Sequence, residues 1–553
     1  TVETAPVNDA DRLIVRMERT STRPGERLLE ADVLLNTVGL QRAGLRLVAT
    51  VEGKNGGVVS EQAEVIRDRC TATLDMWALG GDPTSVTFAL HDADKPIATV
   101  KQAITVNGPE GRLAPGTRIP VRLSLPEGID RVQNWPVHIG VPLPEGALAE
   151  SRAAMALPSI TLVDNDGEPI PHGKQVAGRW APDGAYKWLA FTAWVDSDKG
   201  CNVVASQAQG EEPRPPGSFE WADDGTLTID TTLARYVLGK GTSPIRDIYL
   251  DGDTPFATTE GTRGLYVVDQ KGRVASATAD TLPEKALLSG DVETRGGALR
   301  FEGPYLTADG EELARHITSV QVCAGQPFAR ITHTLVLTRD TNEVWFTDIG
   351  WEFAVKPGAD AQAVFGVSRD EWQQTASQPL GAGMSASMLQ DSHYVFAHGE
   401  NHCSVSVKAA SGAQTSIHEG DECGDWAMLS GSSGALEFSC REAALQHPKQ
   451  FEVGPDRVVM HLFSNAAGEE LDFRPETLAK KWDLLNWYEA VIPKAYRLAP
   501  EQVMEKMREH TSNAVGWSKT HDLMIAALRP TVDLPGEAAR LSHLHSQPVY
   551  ALC

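Results

Sequence analysis

The chain of 553 residues is 41% hydrophobic and 22% charged, with a formal net charge of −24; this is a soluble globular composition, long enough for about three to five domains. The acidic balance argues against nucleic acid and against an anionic membrane surface as partners. No apolar run approaches the roughly 20 residues that cross a bilayer as a helix.

Residues 1–112 read as an immunoglobulin-like β-sandwich. Leu28–Leu35, Ala43–Val51, Ala72–Trp77 and Thr84–Leu90 alternate or run apolar between turns rich in Gly, Asn, Asp and Pro. Nothing there looks catalytic, and Gly108-Pro109-Glu110-Gly111 marks a boundary. Residues 113–212 read as a small β-barrel whose most informative stretch is Gly178-Arg179-Trp180-Ala181-Pro182-Asp183-Gly184-Ala185-Tyr186-Lys187-Trp188. Proline presets φ, Asp bonds back to the backbone and Gly takes positive φ, so this is a hairpin. Arg179, Trp180, Lys187 and Trp188 then sit together at its base as a substrate-binding or packing surface. A flat apolar ring beside a cation suits a sugar bearing a carboxylate, and snorkelling cations over half-buried Trp are the bland alternative.

After the linker Gly210–Gly217, residues 218–472 read as one large antiparallel β-sandwich, with alternation in Val320–Cys323 and Ala329–Leu337. At Arg474-Pro475 the pattern turns helical. Pro475–Ile492 and Pro500–His510 each begin with a proline in the first turn, and Asn513–Leu528 reads as a third helix stopped by Pro530. Residues 473–553 are therefore expected to be a helical segment. Of seven cysteines, Cys403, Cys423 and Cys440 are close enough in sequence to pair in an oxidising compartment, and equally suit buried thiols. The start at Thr1-Val2, without Met, fits a mature secreted or periplasmic protein or a trimmed chain.

The order Trp135-Pro136-Val137-His138-Ile139-Gly140-Val141-Pro142-Leu143-Pro144-Glu145-Gly146, then Asp164-Asn165-Asp166-Gly167, then the Arg-Trp/Lys-Trp hairpin resembles the barrel domain of the exo-acting rhamnogalacturonan lyases and their bacterial relatives, some of which look like ulvan lyases. The resemblance implies a barrel, a β-sandwich and the start of an α/α toroid. It also implies a polysaccharide lyase acting by β-elimination on an acidic, rhamnose- and uronate-containing polymer.

Such a reaction needs a base, an acid for the leaving oxygen, and cations that neutralise the uronate carboxylate. Gly516-Trp517-Ser518-Lys519-Thr520-His521 matches a Gly-x-x-x-Thr-His segment of the family, which singles out Lys519 and His521. Tyr305, Arg315 and His333 form a second group; parity on a strand puts Arg315 opposite His316, and Arg330 opposite His333. His521 or Tyr305 is the expected base, with His333 and Lys519 or Arg315 as neutralisers. A hydrolase on the same scaffold would need two carboxylates about 5 to 10 Å apart, for which Asp183, Asp348 and Glu352 are the acids to test. A non-catalytic polysaccharide-binding protein is the other alternative. His398, His402, Cys403, His418 and Cys423 invite a zinc reading, but a spacing of four on an extended strand separates side chains by about 13 Å. No metal or other cofactor is expected; Asp164–Gly167 and Asp251–Asp253 leave calcium as an alternative.

Overall fold

Alternation of apolar and polar residues builds this protein almost entirely from strands. The structure, a computed structural model, describes residues 12–553 except for short segments before residue 116 and residues 145–159, 180–185, 206–216, 240, 279–298, 393–400, 482–483 and 511–512. It is a mainly β protein of several sheets, one of them large and antiparallel. Among the described residues no helix is long and apolar enough to cross a membrane. The chain divides into two compact units: Thr1–Ala114 with Pro142–Pro158 and Val176–Trp188, and the remainder.

In the first unit, Leu45–Gly53 buries every second residue. One sheet runs Leu13–Arg16, Leu28–Leu35, Arg69–Asp75, and another runs Val58–Glu64, Leu45–Gly53, Pro83–Asp92, Lys95–Ala103. Val33, Leu47, Val51, Leu74, Phe88 and Leu90 meet in a single core between them, as a two-sheet sandwich requires.

The second unit holds the large sheet, which folds back into two layers. Leu265–Asp269, Phe346–Val355, Arg457–Ser464, Lys449–Val453, Ser385–Ser392, His402–Lys408 and Gln414–Gly420 are successive neighbours in one layer. Leu299–Thr307, Glu312–Val322, Phe328–Val336, Ser518–Leu528, Gly434–Cys440, Trp426–Gly431 and Gln362–Gly366 follow one another in the second layer. Phe353 of the first, beside Trp351, meets Phe438 of the second, with centroids 5.6 Å apart.

Helices α1 (Pro475–Lys481), α2 (Leu484–Val491) and α3 (Pro500–His510) lie where proline-initiated periodicity is read. The third expected helix is a strand: Ser518–Leu528 pairs antiparallel with Phe328–Val336 and with Gly434–Cys440. A central strand buried on both faces reads as a continuous apolar run, and Leu523-Met524-Ile525-Ala526-Ala527-Leu528 suits a buried helix equally well by periodicity. The segment after α3 is therefore sheet, not continued toroid. Helix α4 (Leu534–Ser546) then packs on the outer face of the second layer through Ala538, Ala539, Leu541 and Leu544. The last strand, Tyr550–Leu552, enters a separate seven-stranded sheet between Arg118–Ser124 and Trp135–Pro142. The region read as a small barrel is thus completed by residues from the far end of the chain.

Helix α4 starts on Asp533, whose Oδ1 accepts the Gly536 N–H at 2.9 Å, with Pro535 in the first turn. Asp533→Ala should cost about 1 kcal/mol of local stability. The expected readout is faster amide exchange across 534–546 with the strand Phe346–Val355 unchanged; equal exchange in α4 would show the cap to be idle.

Candidate active site

The strands bring three of the singled-out residues together, inside the sandwich. His333 and His521 are register partners on adjacent strands and both face inward. Tyr305 Oη lies 3.2 Å from His333 Nε2, and His333 Nδ1 lies 2.9 Å from Thr318 Oγ1, which meets His316 Nδ1 at 2.9 Å. Tyr305 and His333 are completely buried. His521 Nδ1 meets Gln446 Oε1 at 2.8 Å. Burial drives the His333 pKa down to about 3 and that of His521 well below the usual value, with Lys449 and His333 adding to the latter. Lys519 shares the inward parity of His521. Arg315 lies on the opposite face of its strand from His316 and pairs with Glu312 at 3.3 Å. It does not join the Tyr305–His333 group.

In the first unit, the Arg179 guanidinium stacks 4.6 Å from the Tyr186 ring centroid, and Trp188 is 42% exposed. Lys187 O accepts the Leu143 N–H at 2.9 Å. Trp180 and the Pro-Asp-Gly turn with Asp183 lie outside the described residues.

Asp348 and Glu352 project from the outer face of one strand and share Arg263, at 3.5 Å from Asp348 and 2.5 Å from Glu352. A single guanidinium keeps the two carboxylates within about 8 Å, inside the glycosidase range. Yet both are already engaged by other groups. Asp348 also accepts Tyr266 Oη at 2.8 Å and meets His461 Nδ1 at 2.7 Å, and Glu352 lies 3.7 Å from Arg457. Gly350 makes room for this network, since a Cβ there would stand 2.6 Å from Tyr266 Oη. His402, in the zinc reading, is clasped by Asp391 at 2.6 Å and Glu419 at 2.8 Å, while Cys403 and Cys423 are buried. His398 is outside the described residues. Among the described residues no group of three His, Cys, Asp or Glu is placed to hold a metal. Asp164 caps its own turn, accepting the Asp166 and Glu168 N–H groups at 3.0 and 2.8 Å.

A different set of groups lines a cavity of about 620 Å³ beside α4, including Glu127, Asp370, Trp372, Asp425, Glu442 and His543, a size within the usual range for small-molecule sites. Asp425 is buried at its wall. Its carboxyl accepts the Ala443 N–H at 3.0 Å, the Glu442 N–H at 3.2 Å and the Ser546 hydroxyl, yet burial outweighs these donors and raises its pKa. Glu442 is exposed and stands in the left-handed region at φ 56, a strained conformation for a residue with a Cβ. Because its own N–H touches Asp425, its carboxyl stays within about 9 Å of the Asp425 carboxyl. Trp372 stacks on His543 with centroids 4.7 Å apart and planes 7° from parallel. Trp426 fits beneath because Gly366 has no Cβ to collide with its indole. The cavity lining carries four carboxyls, Glu127, Asp370, Asp425 and Glu442, against one guanidinium, Arg369. These residues escaped the sequence reading. The only signal is local: Gly424-Asp425-Trp426 and Glu371-Trp372 set an acid beside an indole.

No family model matches the sequence, and no curated protein matches it. Among solved structures, a protein of glycosyl hydrolase family 38 from Enterococcus faecalis is similar at 9% identity and TM-score 0.40, covering 78% of this chain and 46% of that one. An α-mannosidase from Enterococcus faecalis V583 is similar at 9% and 0.35, covering 80% and 46%. A putative aldose 1-epimerase from Klebsiella pneumoniae follows at 12% and 0.25, covering 58% and 83%. The chain spans less than half the length of the first two. These findings correct the resemblance to rhamnogalacturonan and ulvan lyases, and with it the expected lyase activity: the first two of these similar structures are glycoside hydrolases.

The buried histidines make stability depend on pH. His333 keeps a folded-state pKa of about 3, whereas unfolded His titrates near 6.5. The unfolded chain therefore takes up a proton as pH falls below about 6.5, and the folded chain does not, so this contribution is full above that pH and is lost on acidification. Between pH 7 and 5 the loss from His333 is about 2 kcal/mol. His333→Gln should flatten the fall in Tm over that interval; an unchanged slope would refute the account.

Proposed function

We propose that this protein is a carbohydrate-active hydrolase that cleaves a glycosidic bond of an uncharged glycan in the cavity beside α4. The observation that carries the reading is a pair of carboxyl groups in unlike surroundings within one cavity. Burial raises the Asp425 pKa and so favours its protonated form, while Glu442 stands exposed at the lip. Groups whose environments separate them in this way suit the acid and base roles of glycoside hydrolysis.

In this mechanism Asp425 donates its proton to the glycosidic oxygen as the C1–O bond breaks. Glu442 takes a proton from the attacking water, whose oxygen bonds to C1. Ser546 and the N–H groups of Glu442 and Ala443 stabilise the Asp425 carboxylate that results. Trp372, braced by His543, offers an apolar ring to one face of a sugar. The surplus of carboxyls over cations in the lining disfavours a polyanion and suits hydroxyl groups, which donate to carboxylates.

The test is release of reducing ends from a panel of neutral oligosaccharides, with Asp425→Asn and Glu442→Gln alongside. Loss of the acid should lower the rate by about 10²- to 10⁴-fold on natural leaving groups, and much less on aryl glycosides that leave without a proton. Glu442→Gln should impair both substrate types. Activity should fall as pH rises through the raised Asp425 pKa, where its proton is lost, and Asp425→Asn should abolish that alkaline limb. Wild-type turnover in both variants would overturn the assignment.

A further inference from the structure

The cavity beside α4 is one part of a longer groove. A second cavity of about 660 Å³ follows the N-terminal half of the helix, and the two share Gly128 and Trp372 in their linings. A third, of about 300 Å³, shares Arg131, Glu537 and Arg540 with the second. Trp372 thus stands at the junction of the first two, its plane fixed by His543. Gly128, at φ 79, permits this placement: a Cβ there would stand 3.0 Å from the indole Nε1. Beyond Trp372 the second cavity carries Asp130, Asp533 and Glu537 against Arg131 and Arg540. Arg131 is tied to Asp198 at 3.1 Å, and Arg540 Nη2 donates to Arg131 O at 3.0 Å. Both guanidiniums are thereby held in place at the groove wall.

We propose that the groove binds a chain of several uncharged sugar units laid across Trp372. One unit occupies the Asp425–Glu442 cavity, and at least one more lies on the far side of the indole. An aromatic ring between two polar hollows suits consecutive sugars, whose rings present apolar C–H faces and whose rims present hydroxyls. Mixed acids and guanidiniums satisfy hydroxyls as acceptors and donors, without the one-signed field that a polyanion demands. This specificity rests on the hydrolase reading for its chemistry. Binding remote from the reacting bond then serves to raise turnover of longer substrates.

The experiment measures kcat/KM on neutral gluco-, manno- and xylo-oligosaccharides of two to six units, for the wild type, Trp372→Ala and Trp372→Phe. In parallel, calorimetry measures binding of the same series to Glu442→Gln. For at least one series, kcat/KM should rise about tenfold or more from two units to four. Trp372→Ala should cost several-fold more on four units than on two, and Trp372→Phe should restore part of the rise. Turnover independent of length, or an equal loss at every length in Trp372→Ala, overturns the groove and leaves the hydrolase intact. Length-dependent binding without turnover in the wild type supports the groove and overturns the hydrolase. Neither binding nor turnover on any series overturns both.

Discussion

The strand Ser518–Leu528 is the constraint on which the rest of the second unit depends. It completes the backbone ladders of Phe328–Val336 on one side and Gly434–Cys440 on the other. Its inward parity supplies His521, Leu523, Ile525 and Ala527 to the sandwich interior, and its outward parity supplies Met524 and Ala526 to the face that α4 covers. Without it, two neighbouring strands would each expose a row of unpaired N–H and C=O groups. The chain leaves this strand, turns through the Asp533 cap, lays α4 against the outer face and inserts Tyr550–Leu552 into the seven-stranded sheet. The cavity wall made by Ala539, Ser542, His543 and Ser546 is therefore a consequence of where one central strand ends.

Three carboxyls, two of them buried, sit in contrasting surroundings. Asp348 is surrounded by a phenol, an imidazole and a guanidinium, each offering a donor. Glu437 lies fully buried on the strand beneath α4, both oxygens without a hydrogen-bond partner, and burial raises its pKa well above the usual carboxylate value. Asp425 falls between these extremes, with three donors that do not fully offset desolvation. A group in that intermediate position can carry a proton and also survive losing it, which a general acid requires and a saturated ion pair or an unpartnered carboxyl does not provide.

Period-2 alternation made the mainly β architecture legible, because a strand with one buried face must alternate, as Leu45–Gly53 does. Parity alone also separated Arg315 from His316. It failed at Ser518–Leu528, where burial on both faces erases the alternation and leaves an apolar run without a period. The cavity was illegible for another reason: Trp372, Asp425, Glu442 and His543 are dispersed over some 170 residues and meet only because the sheet folds back and α4 crosses it. Tyr305, His333 and His521 drew notice as residue types that do acid–base work. Their register makes them neighbours, but inward parity buries them in the core, with Tyr305 hydrogen-bonded to His333 and His521 to Gln446.

The distribution of charge separates the two chemistries considered for this chain. Elimination from a uronate requires cations beside the reacting carbon, to hold the carboxylate as negative charge builds. Of the residues nominated for that task, His333 is held neutral by burial, Lys519 is half-buried on the inward parity of its strand, and Arg315 lies across its strand from the core-facing His316 and binds Glu312. The cavity that is open enough for a sugar has the opposite character, with four carboxyls to one guanidinium, in a protein whose net charge is −24. A polyanion approaching it would meet repulsion at long range and acceptor groups at contact. A neutral glycan escapes the repulsion, and its hydroxyl groups can donate to those carboxyls.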